Sequence, residues 1–260
     1  MNFKSFKKSF LILPIIFLIG CDVLPNEQIA IVGGGVAITF DDDFIDDWYN
    51  IHNMLKEYNW RATFFVSGFH KLDSNKIEKL KILKEYGHEI GGHGLNHLIA
   101  PNYVRDYGLT AYLENEIYPM KQLMAEKGFN ITSFAYPQSV KNDEIDAALL
   151  NEFKVIRGGT SIGKKTVMER RIKFLTCRRC FHNVLYGLGF DNSVGLEMSF
   201  IKSLIEKAKK KDKAVILLSH EVVETVDKIY QTDYQRLIEL CEFINENNMK
   251  FLLISELYKE

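Results

Sequence analysis

Along the chain, short apolar runs with strand-like patterning alternate with stretches whose apolar residues recur every three or four positions. Val36, Ile38 and Phe40 belong to the first run, which predicts a buried strand delivering Asp41, Asp42 and Asp43 into a loop. Phe44, Trp48, Ile51 and Leu55 then share one helical face. Residues 61–66, rich in β-branched and aromatic side chains, predict the next strand. An amphipathic helix follows over 75–86, with Ile77, Leu80 and Leu83 inward and Gly87 as its C-cap. Residues 88–92 read as a short strand, 109–127 as a long helix stopped by Gly128, and 131–135 as a strand. A helix over 143–151 and a strand over 153–156 come next, with Arg157, Gly158 and Gly159 at the strand's mouth. The pattern from Thr160 to Asn192 predicts no element. A helix over 194–211, a strand over 214–218, a helix over 234–245 and a strand over 250–254 complete the chain.

Strands alternating with helices imply a parallel sheet, and a strand count near seven implies a barrel. Asp41, Asp42, His93, Tyr136, Arg157 and His220 all fall at or just after the C-terminal ends of predicted strands. In a β/α barrel that face carries the chemistry, so these residues are expected to share a site.

With 260 residues, 47% hydrophobic and 26% charged, the chain has ordinary globular composition and can bury a substantial core. A net charge of −1 leaves no basic footprint, which argues against nucleic acid as a partner. Residues 1–20 stand apart from the fold: Lys4, Lys7 and Lys8 precede an apolar run, Phe10 to Ile19, shaped like a signal h-region. The run ends Leu18-Ile19-Gly20-Cys21, which resembles the lipobox of bacterial lipoproteins. That resemblance implies cleavage before Cys21, lipidation of its thiol and a membrane tether outside the cytoplasm, in the periplasm or at the cell surface. The alternative is an ordinary secretory signal with an incidental cysteine. The expected organisation is a signal peptide over 1–20, a tether over 21–32 and one barrel domain over 33–260. Gly33-Gly34-Gly35 lacks the spacing of a phosphate-binding loop and reads as a backbone hinge.

His93 and His97 with one carboxylate make a three-ligand set that leaves a coordination position open. Histidines four apart can turn both rings to one point, and Gly91, Gly92 and Gly94 permit close packing around them. Zinc is the expected ion, and cobalt or nickel accepts the same ligands. Such an ion activates water and polarises a carbonyl oxygen. One aspartate kept off the metal can take the water's proton, and His220 can protonate the leaving group, with Glu221 expected to orient its ring.

Four motifs appear in order: Thr39-Phe40-Asp41-Asp42, His93-Gly94-Leu95-Asn96-His97, Phe134-Ala135-Tyr136-Pro137 and Leu217-Leu218-Ser219-His220. Together they resemble the polysaccharide deacetylases, the NodB-homology family of carbohydrate esterases, over roughly residues 33 to 257. The resemblance implies an α/β fold, a distorted (β/α)7 barrel, and metal-dependent removal of acetyl groups from an N-acetylated glycan. It implies Asp41 as base, Asp42, His93 and His97 as metal ligands, and His220 as acid. Tyr136 and Pro137 are expected to form a wall for oxyanion and substrate. The chain departs from the family in four places. Asp43 follows the aspartate pair where glycine is usual, and the third motif has no arginine, so Arg157 is expected to substitute. Gln138 and Ser139 replace an aromatic residue and a glycine. The Asp-Trp of the family's fourth motif is not visible, because Trp48 and Trp60 lie elsewhere.

The rival readings are an O-acetyl esterase or small cyclic-amide hydrolase on the same barrel, and a glycan-binding lipoprotein without turnover. Cys177-Arg178-Arg179-Cys180 has no second cysteine pair, which argues against a structural zinc and leaves a disulfide or free thiols. Cys241 is expected in the core, on a helix with Leu237 and Leu240. The basic run from Lys207 to Lys213 suits a solvated helix C-terminus.

Overall fold

The strand that ends in the aspartates, β1 (Gly35–Asp42), lies between two parallel partners. On one side is β2 (Ala62–Val66), in register from Ile38↔Ala62 to Asp42↔Val66. On the other is the strand that precedes His220, at residues 214–219, in register from Gly35↔Ala214 to Phe40↔Ser219. Between them come β3 (Glu89–Gly92), β4 (Ser133–Ala135), β5 (Val155–Gly159) and β6 (Val184–Gly189), and β7 (Ala214–Ser219) closes onto β1. The result is a closed seven-stranded parallel barrel, as expected. In this computed structural model residues 34–159 and 183–257 are described, all within the compact unit Ile31–Glu260. Cys21, the residues around it, and Cys177 and Cys180 lie outside the described residues.

A separate two-stranded pair, β8 (Glu221–Val223) with β9 (Gln231–Asp233), stands after His220. The last strand, β10 (Lys250–Phe251), pairs with Gly35 and Val36, ahead of the point where β2 begins. The helices are α1 (Ile45–Leu55), α2 (Ser74–Glu85), α3 (Ala100–Tyr107), α4 (Leu109–Tyr112), α5 (Tyr118–Glu126), α6 (Asp143–Leu149), α7 (Met198–Lys210) and α8 (Tyr234–Glu246). Asp73, Asn142 and Asp233 cap α2, α6 and α8 by accepting backbone N–H groups of the first turn. Among the described residues no helix is long and apolar enough to cross a membrane.

Two layers of core follow from the period-two alternation of the strands. Val36, Ile38 and Phe40 face the helices, where Phe64 stacks on Phe40 at 5.4 Å and on Trp48 at 5.0 Å between ring centroids. Ala37, with Phe65, Ala135, Val155, Leu185 and Ile216, belongs to a second buried cluster that fills the barrel. Thr39 and Asp41 share the parity of Ala37, so Asp41 is delivered into the barrel's mouth rather than to solvent.

Beyond α3 and the β8–β9 pair, which the sequence pattern does not predict, the structure differs from it as follows. The helix expected over 109–127 is broken by a π-helical turn, Leu113–Ile117, between α4 and α5. The unread segment contains β6, whose Gly187 and Gly189 erase its apolar rhythm. A Cβ on Gly187 would come within 3.1 Å of Leu218 Cβ, so the close approach of β7 explains that glycine. The strand expected over 250–254 shortens to β10 and becomes a 3-10 turn, Ile254–Leu257. Cys241 lies buried on α8 with Leu237 and Leu240, as expected.

Candidate active site

At the C-terminal mouth of the barrel lies a cleft of about 730 Å³ whose lining includes Asp41, Asp42, His93, His97 and His220. β1 supplies the two aspartates, and the chain separates them at once. Asp41 keeps the strand conformation and faces inward, with 2% of its surface exposed. Asp42 has a φ of 86°, a left-handed conformation that a non-glycine residue adopts at a cost. Its carbonyl accepts from Ser67 N–H at 3.0 Å, which holds the turn. This reversal of alternation lets adjacent carboxylates reach the same mouth with different partners.

Asp41 is engaged by Arg157. One guanidinium nitrogen, Nη2, donates to Oδ1 at 2.5 Å and to Oδ2 at 2.6 Å. Arg157 is fully buried, and its guanidinium lies 5.0 Å from the Phe65 ring centroid. A buried arginine beside a buried aspartate compensates its charge and fixes its orientation.

Asp42 is engaged by the two histidines. Its Oδ1 lies 3.5 Å from His93 Nε2 and 3.1 Å from His97 Nε2. His93 Nδ1 donates to the Ala135 carbonyl at 2.8 Å, which leaves Nε2 as the acceptor facing Asp42. Two acceptors at that separation repel unless a proton or a cation lies between them. The donor atoms of Asp42, His93 and His97 all lie within 4.8 Å of one another. One carboxylate and two imidazoles, one already oriented by a carbonyl behind it, fit a divalent transition ion such as zinc. Burial works to raise the Asp42 carboxyl, but where the facing nitrogens of His93 and His97 carry a proton, their hydrogen bonding and charge overcome it and hold the group well below the usual carboxylate range. The hydrogen bond to Asp42 correspondingly raises His97 above its ordinary value.

His220 reaches the mouth from the end of β7, and its carbonyl accepts from Trp48 Nε1 at 2.9 Å. Its ring is oriented by Asp191: Nδ1 donates to Asp191 Oδ2 at 2.7 Å. Glu221, expected in that role, is turned away and accepts from Gln231 Nε2 at 2.7 Å. The alternation along the chain explains the correction, since the residue after His220 points to the other side. Asp191 is 1% exposed, and its Oδ1 accepts from Ser193 N–H at 2.9 Å and from the Ser193 hydroxyl. Burial opposes protonation of His220, but the bond to Asp191 and the charge of Asp41 outweigh it and raise the ring above its ordinary value.

The expected substrate wall is different from the sequence reading. Tyr136 is fully buried, and its hydroxyl donates to Asp146 Oδ1 at 2.8 Å; burial pushes the phenol well above its usual range. Its backbone N–H donates to the Arg157 carbonyl at 2.9 Å, so neither its ring nor its amide lines the cleft. Pro137 is likewise buried; a Cβ on Gly94 would stand 3.4 Å from its Cγ, which places it behind the His93–His97 loop. Arg157 also lines no part of the cleft and acts on Asp41. The cleft is instead lined by Gln138 and Ser139, with φ of 53° and 60°, and by Ile229 and Tyr230. The Tyr230 ring lies 5.0 Å from that of His220.

Asp191 was missed because β6 was not read. The rule that selected the other residues, a polar group just past a strand's end, selects Asp191 as well.

The fold and site together define a closed β/α barrel with a candidate metal-binding acid–base site at its mouth. Residues 33–155 match the family model "Polysaccharide deacetylase", a span that includes Asp41, Asp42, His93 and His97. The family likeness of the motifs is therefore supported over that span. A peptidoglycan-N-acetylglucosamine deacetylase of Bacillus cereus is 36% identical over 126 residues, 48% of this chain and 53% of that protein. The chain thus spans about half the length of that relative. Two crystal structures share the fold. One, a peptidoglycan N-acetylglucosamine deacetylase bound to a naphthalenyl benzamide, superposes with a TM-score of 0.55 at 16% identity, covering 86% of this chain and 87% of that one. The other, the Xyl-CE4 domain of a multidomain xylanase from the hindgut metagenome of Trinervitermes trinervoides, gives 0.52 at 19% identity, covering 86% and 89%.

Proposed function

We propose that the protein is a metal-dependent deacetylase acting on an N-acetylated glycan, a GlcNAc-containing polysaccharide or peptidoglycan. The observation that carries this reading is the division of two adjacent carboxylates: Asp42 on the histidine pair, Asp41 on a buried arginine, with His220 at the same mouth. Asp42, His93 and His97 would hold a zinc ion, with cobalt or nickel as substitutes; the bound ion supplies Lewis-acid polarisation of the acetyl carbonyl and a lowered pKa for water. Asp41, kept off that cluster by Arg157, takes the proton of the attacking water. The water oxygen bonds to the acetyl carbon, the carbon–nitrogen bond breaks, and His220 gives its proton to the departing nitrogen. Acetate and a free amine leave. Asp191 holds the His220 ring in the tautomer and orientation that this transfer needs.

The rim supports a sugar substrate. Ile229 and Tyr230 are 62% and 49% exposed beside the acid, and such side chains suit the apolar face of a pyranose ring. The loop is held from behind by Gln231, whose Oε1 accepts from Asp227 N–H at 2.8 Å and Lys228 N–H at 2.9 Å.

Acetate release from N-acetylated chito-oligosaccharides with added zinc or cobalt tests the reading. Release that chelation abolishes is the expected result. Release only from O-acetylated sugars assigns the esterase alternative, and binding of the oligosaccharide without release assigns the glycan-binding alternative.

The lipobox-like Leu18-Ile19-Gly20-Cys21 motivates a further part of the proposal, a lipid anchor on Cys21 that holds the enzyme to a membrane outside the cytoplasm. Cys21→Ser is expected to release the protein from membranes or to leave its signal uncleaved. Wild-type protein found wholly in the soluble fraction would refute the anchor.

A further inference from the structure

We infer that Glu116 is a positioning residue for His97, holding the backbone on both sides of that histidine from within the core; this rests on the reading of Asp42, His93 and His97 as metal ligands. Glu116 is fully buried. It lies in the π-helical turn, on the face that Tyr112, Ile117, Met120 and Met124 turn into the core. A carboxylate in a core position is strongly destabilising unless hydrogen bonds satisfy it. Among the described residues no lysine or arginine forms an ion pair with it.

Its partners are N–H groups of a single loop. Asn96 N–H donates to both carboxylate oxygens at 2.9 Å, Asn96 Nδ2 donates to Oε2 at 2.9 Å, and Leu98 N–H donates to Oε1 at 3.1 Å. The residue between those two amides is His97, whose φ of 58° is left-handed. A non-glycine residue adopts that conformation uncommonly and at some cost, and the bonds on either side of His97 hold it there. The loop also comes so close that a Cβ on Gly94 would stand 2.6 Å from Glu116 Oε1. His93 needs no such clamp, because its N–H is bonded to the Val66 carbonyl and its ring to that of Ala135. Glu116 thus does for the outer histidine what the strand edge does for the inner one. Glu116 lies within the π-helical turn, a local departure from the α-helix that is frequent at functional sites.

Glu116→Gln keeps the size and removes the acceptor: one end of the amide becomes an NH2 that cannot receive an N–H. Groups that orient metal ligands typically carry about 10–100-fold in metal affinity. The expected result is a folded Glu116→Gln protein by circular dichroism with zinc binding weakened about 10–100-fold in chelator competition. The visible spectrum of its cobalt form should change as His97 loses its place. Glu114→Gln, an exposed neighbour with the same change of charge, should match wild type in both measurements.

If Glu116→Gln binds zinc as wild type does with an unchanged cobalt spectrum, the inference is overturned. It is equally overturned if the weaker binding only tracks the unfolded fraction. Should Glu116→Gln fail to fold, Asn96→Ala removes one donor of the clamp from an exposed residue. A several-fold loss of zinc affinity then supports the clamp, and wild-type affinity rejects it. His93→Ala separates the two levels of the argument. If wild type and His93→Ala bind zinc alike, the metal-site reading has failed and the clamp with it. If His93→Ala loses zinc and Glu116→Gln does not, only the clamp has.

Discussion

Asp41→Asn is expected to retain zinc at wild-type stoichiometry and to lose about 10²–10⁴-fold in turnover on an N-acetylated chito-oligosaccharide, the usual range for a general base. Asp41 has its carboxylate on Arg157, and its nearest approach to the histidine cluster is 3.9 Å, from Oδ2 to His93 Nε2. Asn leaves the three donor atoms of Asp42, His93 and His97 unchanged but cannot accept the water's proton. His220→Ala should share the pattern, metal kept and turnover lost. Its loss should be largest for amides, whose nitrogen must be protonated to leave, and smaller for an activated acetyl ester. Asp191→Asn should shift the alkaline limb of the pH profile to lower pH. The bond from His220 Nδ1 to Asp191 helps raise the ring's pKa, and the protonated acid is lost as pH rises through that value. Metal content and turnover on both substrates, measured for each variant, decide the assignment. Loss of zinc from Asp41→Asn with retention in Asp42→Asn would reverse the two roles.

His93→Ala should abolish stoichiometric zinc binding and, with it, all metal-stimulated turnover. His93 is 1% exposed, its Nδ1 is bonded to the Ala135 carbonyl, and its Nε2 meets Asp42 at 3.5 Å. Among the described residues no other imidazole occupies that position, and a site reduced from three protein ligands to two is a poor one. Elemental analysis after dialysis against zinc provides the measurement. Full occupancy in His93→Ala would refute the ligand set, and no added metal should restore its activity.

These predictions draw unequally on sequence and fold. The aspartates, His93, His97 and His220 were legible because each lies at or soon after the end of an apolar strand, and a parallel barrel gathers strand ends at one mouth. Asp191 obeys the same rule and was still missed, since Gly187 and Gly189 hide the strand before it. Glu116 has no signal of that kind. It reads as one more acidic residue on a helix, and only the folded structure shows it buried with its partners in the loop around His97.

What the sequence by itself determined was which side chains could meet: strand period, helix period and chain order are local properties, and together they imply the barrel and its mouth. What the tertiary structure decided was who pairs with whom. Arg157 meets Asp41 across 116 residues of chain, while Tyr136, one residue beyond its strand, turns to Asp146 in the core instead of the cleft. Asp42 escapes strand alternation through a positive φ that no composition rule announces. Such choices depend on the parity of each strand, the register between neighbours and the space left by packing. These exist only once the barrel has closed.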